Sequence, residues 1–265
     1  METVDRPLPE SDILFLVETA LPGRTDREQA AALIRDDADF IDALLGDERV
    51  FDRLMNDDEV LVRVSPRLFF AVLLKRARRD LQTSAYTVER RQHQRVVIFD
   101  SRQAADLLEE RPLRDYLAEM LASFTHVQSF TRRVRVRKGT WRRQHFAELD
   151  VDSLIRYGSS LPEEERFQVY RRIADVCLFL AGIFPEYIES QSGPFIAARV
   201  QRTIEDYERQ GRTFYQLAAR HKGSQSAHLF DPLNTLADNF TLAEKPLTFI
   251  TERYLELRRG LLFGM

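Results

Sequence analysis

The sequence predicts a mainly α protein: a multi-helix bundle with a small central α/β module that contains a basic β-hairpin. Three observations predict it. Apolar residues recur at helical spacing through most of the 265 residues. Residues 95–99 are β-branched and aromatic, and residues 130–146 alternate valine with arginine around Lys138-Gly139. Prolines and glycines stand where the helical patterns start and stop.

In the N-terminal part, Ser11 precedes an apolar stretch at 13–17. Thr25-Asp26-Arg27-Glu28 matches a capping box, in which the Thr25 hydroxyl accepts from the amide three residues on and Glu28 reaches back. Phe40, Ile41, Leu44 and Leu45 keep helical spacing, and Gly46 marks a stop. Phe51, Leu54 and Met55 add a short helix. Ser65-Pro66 is a helix start, with a capping hydroxyl and a proline whose fixed φ suits the first turn. That helix runs to about residue 81 with Leu68, Phe69, Val72 and Leu73 inward. Its cations Lys75, Arg76, Arg78 and Arg79 complement the negative end of the helix dipole.

Residues 95–99 form a strand, and Asp100-Ser101 then opens a helix with Ala104, Ala105, Leu107 and Leu108 inward. After Pro112, Leu113, Tyr116, Leu117, Met120, Leu121 and Phe124 make the clearest amphipathic helix of this region. Lys138-Gly139 suits a tight turn between two strands, so 130–146 is a hairpin. Beyond Asp150 the chain is helical. Pro162 with Glu163, Glu164 and Glu165 opens a helix that runs through Phe167, Ile173 and Cys177 toward Gly182. Pro194 opens another, with Ile196, Val200, Ile204 and Tyr207 inward, ending near Gly211. Phe214, Leu217 and Ala218 form a shorter one before Gly223. Leu229, Leu233, Leu236 and Phe240 mark the next. Leu247, Ile250, Tyr254, Leu257 and Leu261 mark the last, at a spacing that suits a packed bundle or a seam with a second copy of the chain. The chain thus divides into an acidic helical part (1–64), a basic winged-helix-like module (65–147) and a helical bundle (148–265).

Composition, 44% hydrophobic and 31% charged, belongs to the soluble globular class and excludes collagen-like or disordered chains. Cys177 is the only cysteine, which excludes an internal disulfide and a multi-cysteine zinc site. It lies in the longest apolar run, the nine residues 176–184, and reads as inert core. That run is far short of the roughly 18 residues a membrane span needs. The start, METVDRPLPESD, has no cationic region and no leading apolar stretch, which predicts a cytoplasmic protein with no membrane partner. No phosphate-binding loop, dinucleotide fingerprint or nucleophile elbow occurs. His93 and His145 fall near adjacent strands without a third ligand, and the N-terminal acids match no calcium loop. No catalytic residue, no metal ligand and no cofactor is therefore predicted.

The net charge of -3 conceals a strong asymmetry. Residues 1–60 hold 17 acids and 6 bases, residues 61–145 hold 19 bases and 8 acids, and the remainder holds 14 bases and 17 acids. Within the basic segment, Arg132, Arg133, Arg135, Arg137, Lys138, Arg142 and Arg143 surround Trp141. Guanidinium groups on a ribbon can follow phosphates, and an aromatic can stack on a base or sugar. The order helix, strand, helix, helix, hairpin is that of a winged helix-turn-helix domain. The hairpin would be the wing, the helix over 112–125 would read the groove, and Arg111 and Arg114 would meet the backbone.

The segments LFLAGIFPEYI (178–188), DYERQGRTFYQLAARH (206–221) and LADNF (236–240) resemble the C-terminal helical part of bacterial proteins of unknown function. The resemblance covers less than half of the chain. It implies a helical C-terminal part and brings no activity. Two functional readings follow. One is a non-catalytic nucleic-acid-binding or regulatory protein that contacts phosphates through the hairpin and pairs with itself through its C-terminal helices. The other is a helical scaffold for a protein partner, with the hairpin neutralised by the chain's own acidic N-terminal part.

Overall fold

In a computed structural model, which describes residues 7–91, 94–126, 130–137, 140–146, 149–191, 202–256 and 258–264, the N-terminal acids act first as caps. Helix α1 (Glu10–Ala20) buries Ile13, Leu16, Val17 and Ala20 on one face. Then come α2 (Arg27–Ile34), α3 (Ala38–Leu45), α4 (Glu48–Asn56) and α5 (Asp58–Arg63). The carboxylates of Asp37, Asp47 and Asp57 accept from the first amides of α3, α4 and α5. The capping box expected at Thr25 does not form. Asp26 is the N-cap residue of α2, and its carboxylate accepts instead from the Arg24 guanidinium at 2.7 and 2.9 Å.

Helix α6 (Pro66–Thr83) starts as the Ser-Pro pair predicts, with the Ser65 hydroxyl accepting from the Leu68 amide at 3.1 Å. The single strand expected at 95–99 is one arm of a hairpin. Strand β1 (Thr87–Arg91) pairs antiparallel with β2 (Gln94–Ile98), from Thr87 opposite Ile98 to Arg91 opposite Gln94. Phe99 lies outside it, 82% exposed. Helices α7 (Ser101–Leu107) and α8 (Arg111–Ser123) and a 3-10 turn (Phe124–His126) lead to the second hairpin, β3 (Phe130–Arg137) and β4 (Thr140–Phe146). The two hairpins are separate two-stranded sheets. His145 stands in β4, in a different sheet from β1 and β2, and His93 lies outside the described residues.

The C-terminal half comprises α9 (Val151–Ser159), α10 (Phe167–Ile183), α11 (Pro185–Gln191), α12 (Ile204–Arg220), α13 (Lys222–Ser226), α14 (Phe230–Asp238), α15 (Phe240–Tyr254) and α16 (Arg259–Phe263). Pro162 opens a 3-10 turn (Glu163–Glu165) rather than the long helix, which begins at Phe167. Pro194, Ile196 and Val200 lie outside the described residues. The helix expected to end near Gly211 runs straight through it. It is opened by a reciprocal cap between Thr203 and Asp206 and continues to Arg220. Gly211 is there for close approach, because a Cβ at that position would stand 2.2 Å from the Phe240 ring. Phe240 begins α15 instead of closing α14, after a break at Asn239, and α15 stays helical across Pro246. The C-terminal apolar spacing does not form one seam. The chain leaves the helix at Leu255, Leu257 lies outside the described residues, and Leu261 on α16 is 87% exposed.

Helix α10 is the axis of the bundle. Thirteen of its 17 residues are buried, so it needs cover on every side, and α9, α12 and α15 pack on it. Its one deeply buried acid, Asp175, accepts from the Tyr116 hydroxyl on α8 at 2.5 Å and the Tyr215 hydroxyl on α12 at 2.9 Å. Burial pushes the Asp175 carboxyl above the usual range and both phenols well above theirs. Cys177, fully buried on the same helix, has its thiol pushed far up by desolvation, which suits inert core. One hydrophobic cluster takes residues from all three sequence segments, from Phe15 to Phe263. Within it Phe179 stacks on Phe124 and meets Phe263 edge-on. Among the described residues no helix is long and apolar enough to cross a membrane.

Gly211 gives a test of opposite sign to helix propensity. Glycine to alanine inside a helix ordinarily gains up to about 1 kcal/mol. Gly211→Ala should instead lose about 1–3 kcal/mol through overpacking against Phe240, read as a lower urea midpoint at unchanged slope.

Candidate nucleic-acid interface

Of the residues singled out for phosphate contact, Arg132, Arg133, Arg135 and Arg137 stand in β3, and Trp141, Arg142 and Arg143 stand in β4. Lys138 lies outside the described residues. The register sets Thr131 opposite His145, Arg133 opposite Arg143 and Arg135 opposite Trp141. It sets Phe130 opposite Phe146, Arg132 opposite Gln144 and Val134 opposite Arg142. Successive positions of a strand alternate between faces, so each of these sets shares one face of the ribbon. Between Arg135 and Arg137 the register slips, and Val136 has no residue opposite it. Such an irregularity adds local twist. The segment 130–146 carries seven basic residues and no acid. Like charges directly opposite each other weaken a ladder, and Arg133 with Arg143 is such a pair.

The expected groove-reading helix has a different environment. Arg114, expected to meet the nucleic-acid backbone, is buried on α8, and so is Ala118 one turn on. The Arg114 guanidinium donates to the carbonyls of Leu108 and Glu109 and pairs with Asp42 at 2.7 Å, so it is committed inside the fold. Arg111 pairs with Asp39 at 2.9 Å. Because α8 packs against α6 and α14, seven of its thirteen residues are buried, and the side left toward solvent carries Pro112, Asp115, Glu119 and Ser123, with no cation among them to meet a phosphate.

The acids of residues 1–60 reach the basic segment at its helices. Asp42 pairs with Lys75 at 2.5 Å and with Arg114. Glu48 reaches Arg76 at 3.2 Å and Arg79 at 3.8 Å, and Asp58 reaches Arg258 at 2.9 Å. Every described ion pair from these acids to another segment ends on α6, α8 or Arg258. Desolvation pushes the Asp42 carboxyl up, but hydrogen bonds from Lys75 and Arg114 and their charges outweigh it and hold it below the usual range. Asp12 goes the other way. Burial raises it against the hydrogen bonds it accepts from the Ser65 amide and hydroxyl.

A second polar junction was not singled out from the sequence. Lys245 on α15 is buried beside Asp100 and Glu89, 2.7 Å from the latter, and Asp100 also accepts from the Thr87 hydroxyl at 2.5 Å. It anchors the first hairpin to α7 and α15. Lysine after a mid-helix position and before proline gives no local signal of such burial. Among the described residues no three His, Cys, Asp or Glu side chains gather as a metal-holding group. No protein-family model, curated protein or solved structure matches this chain.

The Asp42 junction has a worked sign. A carboxyl held below its unfolded value contributes stability above that unfolded value, and the contribution is lost as the pH falls through the folded one. Asp12 and Asp175, raised on folding, act in the opposite direction, so the informative quantity is a difference between variants. Asp42→Asn should lower the urea midpoint at about pH 6 and should lose less than the wild type between about pH 6 and about pH 3. Parallel curves for the two proteins would show that the junction contributes nothing.

Proposed function

We propose that this chain is a non-catalytic nucleic-acid-binding or regulatory protein that contacts phosphates through its β3–β4 ribbon. One observation carries the reading: the ladder sets Arg133 opposite Arg143 and Arg135 opposite Trp141 in a segment without a single acid. An anion lying along that face relieves the like-charge pairing, and Trp141 offers a stacking surface beside it. The solvent side of α8 carries Pro112, Asp115, Glu119 and Ser123, so the reading rests on the hairpin and gives that helix no part in reading base edges. Contacts of that kind set position and affinity and carry little sequence preference.

A scaffold role is the second reading. It is favoured by the acid pairs on α6 and α8, which show opposite charges meeting inside the fold, and by exposed apolar side chains such as Val62 at 88%. The two readings separate in one measurement. Binding to a fluorescent duplex DNA and to a single-stranded RNA is followed by anisotropy across a salt series. Neutralising n phosphate contacts gives a log-log salt slope near -0.9n on duplex DNA. Replacing Arg133, Arg135 and Arg143 by glutamine should reduce that slope by about 2–3 and weaken affinity similarly across sequences. Absence of binding at low salt, or a slope indifferent to the three substitutions, would falsify the nucleic-acid reading.

A further inference from the structure

Helices α3, α6 and α8 and the end of α2 border a groove of about 200 Å³. Its apolar lining comes from Ile41 and Leu45 on α3, Ala71 on α6 and Ala118 on α8. Arg35, Arg67 and Arg111 also line it, together with Asp42 and Asp115. Asp42 is already matched by Lys75 and Arg114. Asp115 lies 3.7 Å from Arg111 Nε.

The present partners of these arginines are mostly carboxylates at the edge of the protein. Arg35 meets Glu10, 70% exposed, at 3.1 Å, and Arg111 meets Asp39, 99% exposed, at 2.9 Å. Arg67 meets Glu119 at 3.3 Å. Pairs that face water are held weakly and exchange readily for another anion. Arg67 and Arg111 also sit in the first turns of α6 and α8. The positive end of a helix dipole disfavours cations there. An anion in front of them would offset that cost alongside the carboxylates already near them.

We propose that this groove binds a small organic anion that also bears a hydroxyl group. Its phosphate or carboxylate meets Arg35, Arg67 and Arg111, its hydroxyl donates to Asp115, and its carbon skeleton lies on Ile41, Leu45, Ala71 and Ala118. Burial holds the Asp115 carboxyl above the usual range against the pull of Arg67, Arg111 and Arg114. The site is separate from the ribbon, and its test does not depend on nucleic-acid binding.

The test is calorimetric titration of the full chain, at constant ionic strength, with glycerol 3-phosphate and separately with inorganic phosphate. Glycerol 3-phosphate should bind saturably and more tightly than inorganic phosphate. The double variant Arg67→Gln/Arg111→Gln should weaken it by about tenfold or more, and Arg133→Gln should leave it unchanged. Ala71→Met, which occupies the groove without altering charge, should also weaken it, and it decides the matter if the double variant does not fold. No saturable heat with either probe, equal affinity for the two, or wild-type binding by the folded groove variants would overturn the proposal.

Discussion

Helix α10 has no dry side to spare, and that constraint organises the molecule. A helix apolar all round is stable only when neighbours cover every face, and here the neighbours are α9, α12 and α15, with α8 brought in through Asp175. A carboxyl at that depth is costly unless its oxygens are hydrogen-bonded. Tyr116 and Tyr215 supply those bonds from two different helices. The pairing therefore sets the depth and rotation of α8 and α12 against α10. Gly211 does the complementary steric work, letting α12 come close enough for Phe240 to lie against it.

The fate of the charge asymmetry follows from the same packing. Once α8 is drawn into the core, Arg114 goes with it. A buried guanidinium requires a carboxylate, and Asp42 provides it while also holding Lys75. The acidic N-terminal helices are thereby fastened to α6 and α8. The excess of acid in the first 60 residues and the excess of base in the next 85 are partly one interaction seen from two ends. Among the described ion pairs, what that interaction engages is base on α6 and α8. The ribbon 130–146 holds its own seven cations with no acid in its sequence, which is why the proposed interface rests there and not on a recognition helix.

Much of the helical framework was legible because it depends on local chemistry. Ser65 caps α6 and Asp150 caps α9 through side-chain oxygens that accept first-turn amides, and Gly46 ends α3, though in right-handed backbone that any residue adopts. The basic hairpin itself likewise follows from alternation of valine and arginine, whereas the slip in its register between Arg135 and Arg137 has no such local signal. The misses are features whose cause lies far away in sequence. Strand β1, Thr-Val-Glu-Arg-Arg, has one strongly apolar residue and is recognisable only beside β2. Gly211 has the local signature of a helix stop and the tertiary role of a contact. Lys245 and Asp175 look like surface charges by type, and only the partners contributed by distant elements explain their burial.

Element order alone therefore says little about function in this chain. The sequence helix, hairpin, helix, helix, hairpin is present, yet β1 and β2 do not join the sheet of β3 and β4, and α8 is largely packed against the bundle. A winged domain reads DNA because one helix is free on the face that the wing extends. Here α8 gives seven of its thirteen residues to the core and turns Pro112, Asp115, Glu119 and Ser123 toward solvent, with no cation among them. On the proposed reading the ribbon would act alone, following phosphates and groove width and leaving base edges largely unread.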